Sequence, residues 1–83
     1  MQISVKLFSM FRHYAGLDQT MVALDTGATV DDLLDALSKR FNNPVFSDDA
    51  TLLMVMVNKN NAPRQTVLTE GDVVLLLPIL GGG

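Results

Sequence analysis

Eighty-three residues, 48% of them hydrophobic, set the scale of one small domain with enough apolar content for a single core. The absence of cysteine excludes a disulfide framework, a thiolate metal site and a cysteine nucleophile together, and it fits a reducing cytoplasm, the expected location. A net charge of −3, six scattered cations and no tryptophan argue against nucleic acid as a partner, and no apolar run approaches the roughly 20 residues that cross a bilayer.

Ile3, Val5 and Leu7 alternate with Gln2, Ser4 and Lys6, which predicts a half-buried strand rather than a secretory leader. Ser9 is placed to cap a short helix that Gly16 ends. Residues 19–24 read as a second strand, and Asp25, Thr26 and Gly27 as a turn.

The strongest helix signal starts at Thr29. Thr29 suits the N-cap, with Asp32 three residues on as its capping-box partner. Asp31 and Asp32 complement the positive end of the helix dipole, and Lys39 and Arg40 the negative end. Val30, Leu33, Leu34, Leu37 and Phe41 form one apolar stripe, and Asn42, Asn43 and Pro44 stop it. Residues 45–51 read as a loop or a single turn.

Residues 52–57 predict a strongly apolar strand. A turn at 58–61 follows, then at best a short edge strand at 62–65, given Pro63. Thr69, Glu70, Gly71 and Asp72 make a tight turn into the last strand, 73–77. One long helix covers one face of a sheet, yet the strands at 52–57 and 73–77 are apolar at almost every position. Either the short helix and loops cover the second face, or an apolar patch is left for a partner. Met54 and Met56 share a face, and methionine suits both contact surfaces and core filling.

Beyond Pro78 come Ile79, Leu80 and three glycines. Glycines give nothing to pack and cost much entropy to order, so they finish a domain poorly. They suit a thread that enters a narrow tunnel. Five extended residues reach about 16 Å, enough to carry the Gly83 carboxylate clear of the fold. A frayed or leftover end is the plain alternative. The expected organisation is a folded domain over residues 1–78 and a tail over 79–83. Pro78 should end sheet pairing and launch the tail.

Other chemistry is thin. His13, the lone histidine, has no recognisable nucleophile or orienting acid beside it. Asp31–Asp32 and Asp48–Asp49 lack a third ligand at a known spacing, so no metal is expected. No glycine cluster forms a phosphate loop.

Three segments together resemble the small subunit of molybdopterin synthase, the MoaD family of ThiS-like sulfur carriers. They are Val5-Lys6-Leu7-Phe8-Ser9-Met10-Phe11-Arg12, Val57-Asn58, and the closing run from Leu68 through the Gly71-Asp72 turn, the apolar strand and Pro78 to Gly83. Ile79 and Gly81 depart from the family pattern, where proline and a larger residue are usual. The resemblance implies an α+β, ubiquitin-like β-grasp fold: a mixed sheet on one long helix, plus a short helix after the first strand. It implies that the Gly83 carboxylate is the reacting group, adenylated by a ubiquitin-activating-type enzyme that uses ATP. A sulfur donor protein then converts it to a thiocarboxylate. Leu80, Gly81 and Gly82 thread into the large subunit, where sulfur passes to a cyclic pterin precursor to form the molybdopterin dithiolene. Met54, Met56, Leu75, Leu77 and Pro78 are the expected partner interface. No cofactor is expected on this chain, which donates sulfur without being catalytic alone. Delivery to the thiazole of thiamine, conjugation of Gly83 to lysines, or an interaction module with an inert tail are the alternatives. The short helix at 9–16 favours the molybdopterin carrier over the thiamine type.

Overall fold

The computed structural model describes residues 1–48 and 53–79. Among the described residues eight elements follow one another: β1 (Gln2–Leu7), α1 (Met10–Ala15), β2 (Gln19–Ala23), α2 (Val30–Arg40), a 3-10 turn (Pro44–Phe46), β3 (Leu53–Val57), β4 (Asn60–Asn61) and β5 (Val73–Pro78). The strands form one mixed sheet in the order β2-β1-β5-β3-β4. β1 and β5 run parallel at its centre, and the other neighbours are antiparallel.

The helix α2 forms as its sequence dictates. Thr29 accepts from the Asp32 amide at 3.3 Å, and the Asp32 carboxylate accepts from the Thr29 amide at 2.9 Å. The next two amides also find partners. Val30 and Asp31 donate to the carbonyls of Thr66 and Arg64, both at 2.9 Å. The Arg64 guanidinium then returns to the Asp31 carboxylate at 2.9 Å. The crossing segment after β4 is therefore tied to the start of α2.

The apolar stripe of α2 lies against the sheet. Val30, Leu33, Leu34 and Leu37 are fully buried, as are Ile3 and Val5 of β1 and Val74 and Leu76 of β5. Removing each such side chain from water stabilises the fold by about 1.5–3 kcal/mol before the entropy of ordering is subtracted. Phe11 of α1 stacks at a tilt on Phe46, 6.0 Å between centroids, and Phe46 meets Phe41 at 5.4 Å. These rings put α1 on the α2 side of the sheet, where it closes the end of the core.

Four details differ from the sequence expectations. Ser9 does not cap α1 through its side chain; it sits at φ 53°, ψ −127°. The Phe8 amide still bonds the Leu76 carbonyl at 3.1 Å, so the chain leaves the sheet and enters the helix within one residue. That corner excludes the extended backbone a serine cap needs. Residues 62–65 are not a strand. Ala62 donates to Val55 at 3.0 Å, but Pro63 has no N–H, and the chain turns to α2 instead. The short edge strand is Asn60–Asn61. Pro78 is the last rung of the ladder, opposite Leu53, rather than the first residue beyond it. Gly16 does end α1, in the left-handed region at φ 76°.

At the sheet's other edge, Arg40 of α2 covers β2. Its Nη1 donates to the Met21 carbonyl at 2.8 Å and to Thr20 Oγ1 at 2.9 Å. An arginine there occupies an acceptor that another strand would otherwise use. Among the described residues no helix is long and apolar enough to cross a membrane.

Candidate functional site

The sheet's second face is where the structure departs from an ordinary small core. With α1, α2 and the 3-10 turn all on one side, alternate residues of β1, β5 and β3 point the other way. In β5 the buried positions are Val74 and Leu76, while Val73, Leu75 and Leu77 are half-buried. In β3 Val55 is buried, and Met54 and Met56 are half-buried on the opposite pleat. Met54 stands across from Leu77, and Met56 across from Leu75. The structure thus brings four of the expected interface residues into one apolar surface. Pro78 is not among them: the register puts it on the pleat of Leu53 and Leu76.

This surface extends further than the two strands. Lys6 stands beside Leu75 on the parallel neighbour β1. Phe8, next on that pleat, is 40% exposed, and Met21 on β2 is 48% exposed. Lys6, Phe8, Asn58, Lys59, Val73 and Leu75 line a groove of about 450 Å³. Its floor is apolar and its rim carries two ammonium groups. Reading the strands separately misses this groove, because its walls come from residues 6–8, 58–59 and 73–75. The alternation that puts Lys6 and Phe8 on one pleat was the available signal.

One wall of the groove is held by a buried polar knot. Asp72 is 8% exposed. Its carboxylate accepts from the Thr69 amide at 2.8 Å, the Thr69 hydroxyl at 3.0 Å and Asn58 Nδ2 at 2.8 Å. Asn58 Oδ1 accepts in turn from the Val73 amide at 3.0 Å, and the Asn58 amide donates to the Val73 carbonyl at 2.9 Å. The Thr69 amide, opposed by burial and helped by Asn58 and the Thr69 hydroxyl, holds the Asp72 pKa below the ordinary carboxylate value. The Gly71-Asp72 turn thus anchors the start of β5 to the end of β3.

The turn that carries Lys59 is strained. Asn58 and Lys59 connect β3 to β4 with φ 50° and 74°. A two-residue hairpin turn of this hand asks for positive φ at both positions and favours Asn followed by Gly. Asn58 fits. Lys59 stands where glycine would be easier, at a cost of about 1 kcal/mol for its Cβ.

The remaining candidates carry no chemistry. His13 is exposed and meets Tyr14 edge-on at 6.0 Å. Asp31 and Asp32 are engaged with Arg64 and the capping box. Among the described residues no three acidic, histidine or cysteine side chains gather to hold a metal. Leu80, Gly81, Gly82 and Gly83 lie outside the described residues, as does Asp49. Ile79, the last described residue, is 43% exposed.

The sequence model of the ThiS family matches residues 5–83. The chain belongs to the ThiS family. It is similar to the molybdopterin synthase sulfur carrier subunit of Mycobacterium tuberculosis, 34% identical over 62 residues that cover 75% of this chain and 72% of that protein. Among solved structures it resembles SAMP1 from Haloferax volcanii, a small archaeal modifier protein, at TM-score 0.85 and 31% identity over the whole of both chains. It also resembles the putative molybdopterin converting factor subunit 1 of Pyrococcus furiosus, at TM-score 0.82 and 30% identity, covering 94% of this chain and 97% of that one. The ubiquitin-like β-grasp fold and the ThiS/MoaD-like sulfur-carrier class follow.

Proposed function

We propose that this chain is the sulfur-carrying small subunit of a molybdopterin synthase and that Gly83 bears the reacting group. The observation that carries this reading is the 34% identity to the sulfur carrier subunit of that synthase in M. tuberculosis, within a family match that runs to the terminal Gly83. A carboxylate oxygen is a poor leaving group, so the terminus must first be activated. Its attack on the α-phosphate of ATP, in a ubiquitin-activating-type enzyme, releases pyrophosphate and leaves an acyl-adenylate. The terminal sulfur of a persulfide on a donor protein then attacks the acyl carbon and AMP leaves, giving an acyl disulfide. A thiol cleaves its S–S bond, freeing the thiocarboxylate and leaving the donor in a disulfide with that thiol. The resulting thiocarboxylate is a strong nucleophile at neutral pH. In the large subunit its sulfur attacks a carbon of the cyclic pterin precursor and displaces an oxygen substituent there. Water then cleaves the acyl–sulfur bond, which leaves sulfur on the pterin and restores the Gly83 carboxylate. Leu80, Gly81 and Gly82 supply reach and thinness. Met54, Met56, Leu75 and Leu77 give the large subunit and the activating enzyme an apolar surface to dock on. Soluble action in the cytoplasm accords with this chemistry.

A second reading rests on the likeness to SAMP1, at 31% identity and TM-score 0.85. Activation begins identically, and a target lysine amine then displaces AMP to form an isopeptide bond. The two readings separate by mass spectrometry of the C-terminal fragment after incubation with ATP, an activating enzyme and a sulfur donor. Five methionines make the intact mass ambiguous, because one sulfoxide adds nearly the mass of an oxygen-to-sulfur exchange. The change must therefore be placed on Gly83 and trapped by alkylation. A thiocarboxylate is the expected product; a Gly83–lysine linkage favours the modifier. Deleting Gly82 and Gly83 should abolish sulfur loading while leaving the thermal midpoint unchanged. Loading retained by the truncated chain would sink the mechanism.

A further inference from the structure

We propose that the groove between Lys6 and Lys59 is a docking site for an acidic partner segment, one whose apolar side chain enters between Phe8, Val73 and Leu75 while flanking carboxylates meet the two ammonium groups. Three independent observations converge on it. The floor is apolar and open, with Phe8 40% exposed over half-buried Val73 and Leu75. The rim is cationic in a chain of net charge −3, so two of its six basic residues have been drawn to one groove. Neither lysine is paired with a carboxylate among the described residues, and the nearby Asp72 carboxylate is taken up by Thr69 and Asn58. Third, Lys59 holds a left-handed backbone at φ 74°, where glycine would sit without strain. A turn that needed only to reverse the chain would be better served by glycine. The lysine has a use there that the turn itself does not supply.

The occupant follows from the charge. A basic segment would be repelled at the rim, and a purely apolar one would leave two ammonium groups against its flanks. A leucine or phenylalanine between glutamates or aspartates satisfies floor and rim together. The groove lies at the Val73 end of β5, away from Pro78, so a partner seated there leaves the tail's exit unobstructed. This rests on the reading of the chain as a carrier that docks on partner proteins, and it specifies their chemistry.

The test titrates the full-length chain, labelled with nitrogen-15, with a blocked peptide of two leucines flanked on each side by glutamates. The same peptide with lysines replacing the glutamates is the control. Amide shifts should map to Lys6, Phe8, Asn58, Lys59, Val73 and Leu75 for the acidic peptide alone. The charge-reversed double variant K6E/K59E should bind about tenfold more weakly, and rising salt should erase the difference. Lys59→Ala and Lys59→Gly should both weaken binding by about two- to fivefold, the scale of one exposed ion pair. Only Lys59→Gly should raise the thermal midpoint, which separates the loss of charge from any damage to the turn. Equal shifts with the basic peptide, shifts confined to other surfaces, or none at millimolar peptide would overturn the proposal. So would concentration-dependent shifts without peptide, which would assign the groove to a second copy of the chain. A chain that loads sulfur on Gly83 yet ignores the acidic peptide would refute this inference and leave the sulfur-carrier reading intact.

Discussion

The two faces of this sheet are built from the same strands and serve opposite ends. Toward α2, alternate residues of β1 and β5 are sealed: Ile3, Val5, Val74 and Leu76 have no exposed area, and only Pro78 at the end of β5 is half-buried. Away from it, their immediate neighbours Leu75 and Leu77 are half-buried, and Phe8 and Met21 lie 40% and 48% exposed. Because strand side chains alternate, a shift of one residue moves a leucine from the core to the open face. Hydrophobicity alone does not distinguish them. What differs is whether any of the described residues covers the face.

The sharpest way to break that comparison is to put the same charge on adjacent residues. Leu76→Asp buries an unpaired carboxylate in the core and should cost more than about 4 kcal/mol, enough to unfold a domain of this size. Leu75→Asp puts it on the open face, where water solvates it, and should cost less than about 2 kcal/mol. The folded Leu75→Asp protein should nevertheless lose loading by an activating enzyme, since the apolar docking surface is interrupted. Circular dichroism melts and Gly83 mass spectrometry read the two effects separately. Equal destabilisation by both would mean that the outer face is core after all.

The anchoring knot offers a smaller and pH-dependent contrast. Asp72 has a folded pKa below its unfolded value of about 3.9. Its ionised hydrogen bonds therefore stabilise the fold fully above about pH 5, and that contribution fades as the pH falls through the lowered value. Asp72→Asn should cost about 1–3 kcal/mol near neutrality, because a neutral amide accepts less strongly and sets a donor against Thr69 or Asn58. The gap from the unaltered protein should close toward pH 3. Denaturant titrations at pH 7, 5 and 3.5 check this, and a gap independent of pH would assign the loss to packing instead.

Much of this architecture was legible where the information is local. The Thr29–Asp32 capping box, the α2 stripe, the β1 alternation and the Gly16 stop all depend on neighbours within a turn or two. The open outer face was foreseen only as one of two possibilities. Deciding it required knowing that Phe11 points α1 into the core beside Phe46, a contact across 35 residues. The failures have the same origin. Ser9 looks like a cap, but the rung between Phe8 and Leu76 dictates its backbone. Residues 62–65 look like a strand edge, but Pro63 and the open amides of α2 draw them away. The acidic end of the Asp72 turn was readable as turn chemistry, yet its grip on Asn58 spans 14 positions and exists only in the fold. Of the expected site, the apolar surface could be read from the two strands. The lysine-rimmed groove could not, because it needs three distant segments at once.

The smallest expected effect concerns Lys59 and bears on why the two faces differ. Lys59→Gly relieves a Cβ held at φ 74°, which should gain about 1 kcal/mol, partly offset by the extra freedom of glycine in the unfolded chain. A net stabilisation of about 0.5 kcal/mol, measured by urea titration at unchanged slope, is the expected outcome. Lys59→Ala keeps the strain and should leave stability where it is. If both substitutions prove neutral, the turn is not strained, and the lysine needs no explanation beyond solubility. If glycine stabilises while weakening the acidic peptide, stability is being given up at this residue for contact with a partner. Leu75 and Phe8 make the same exchange in apolar form, since burying either more deeply would strengthen the fold and close the groove between them.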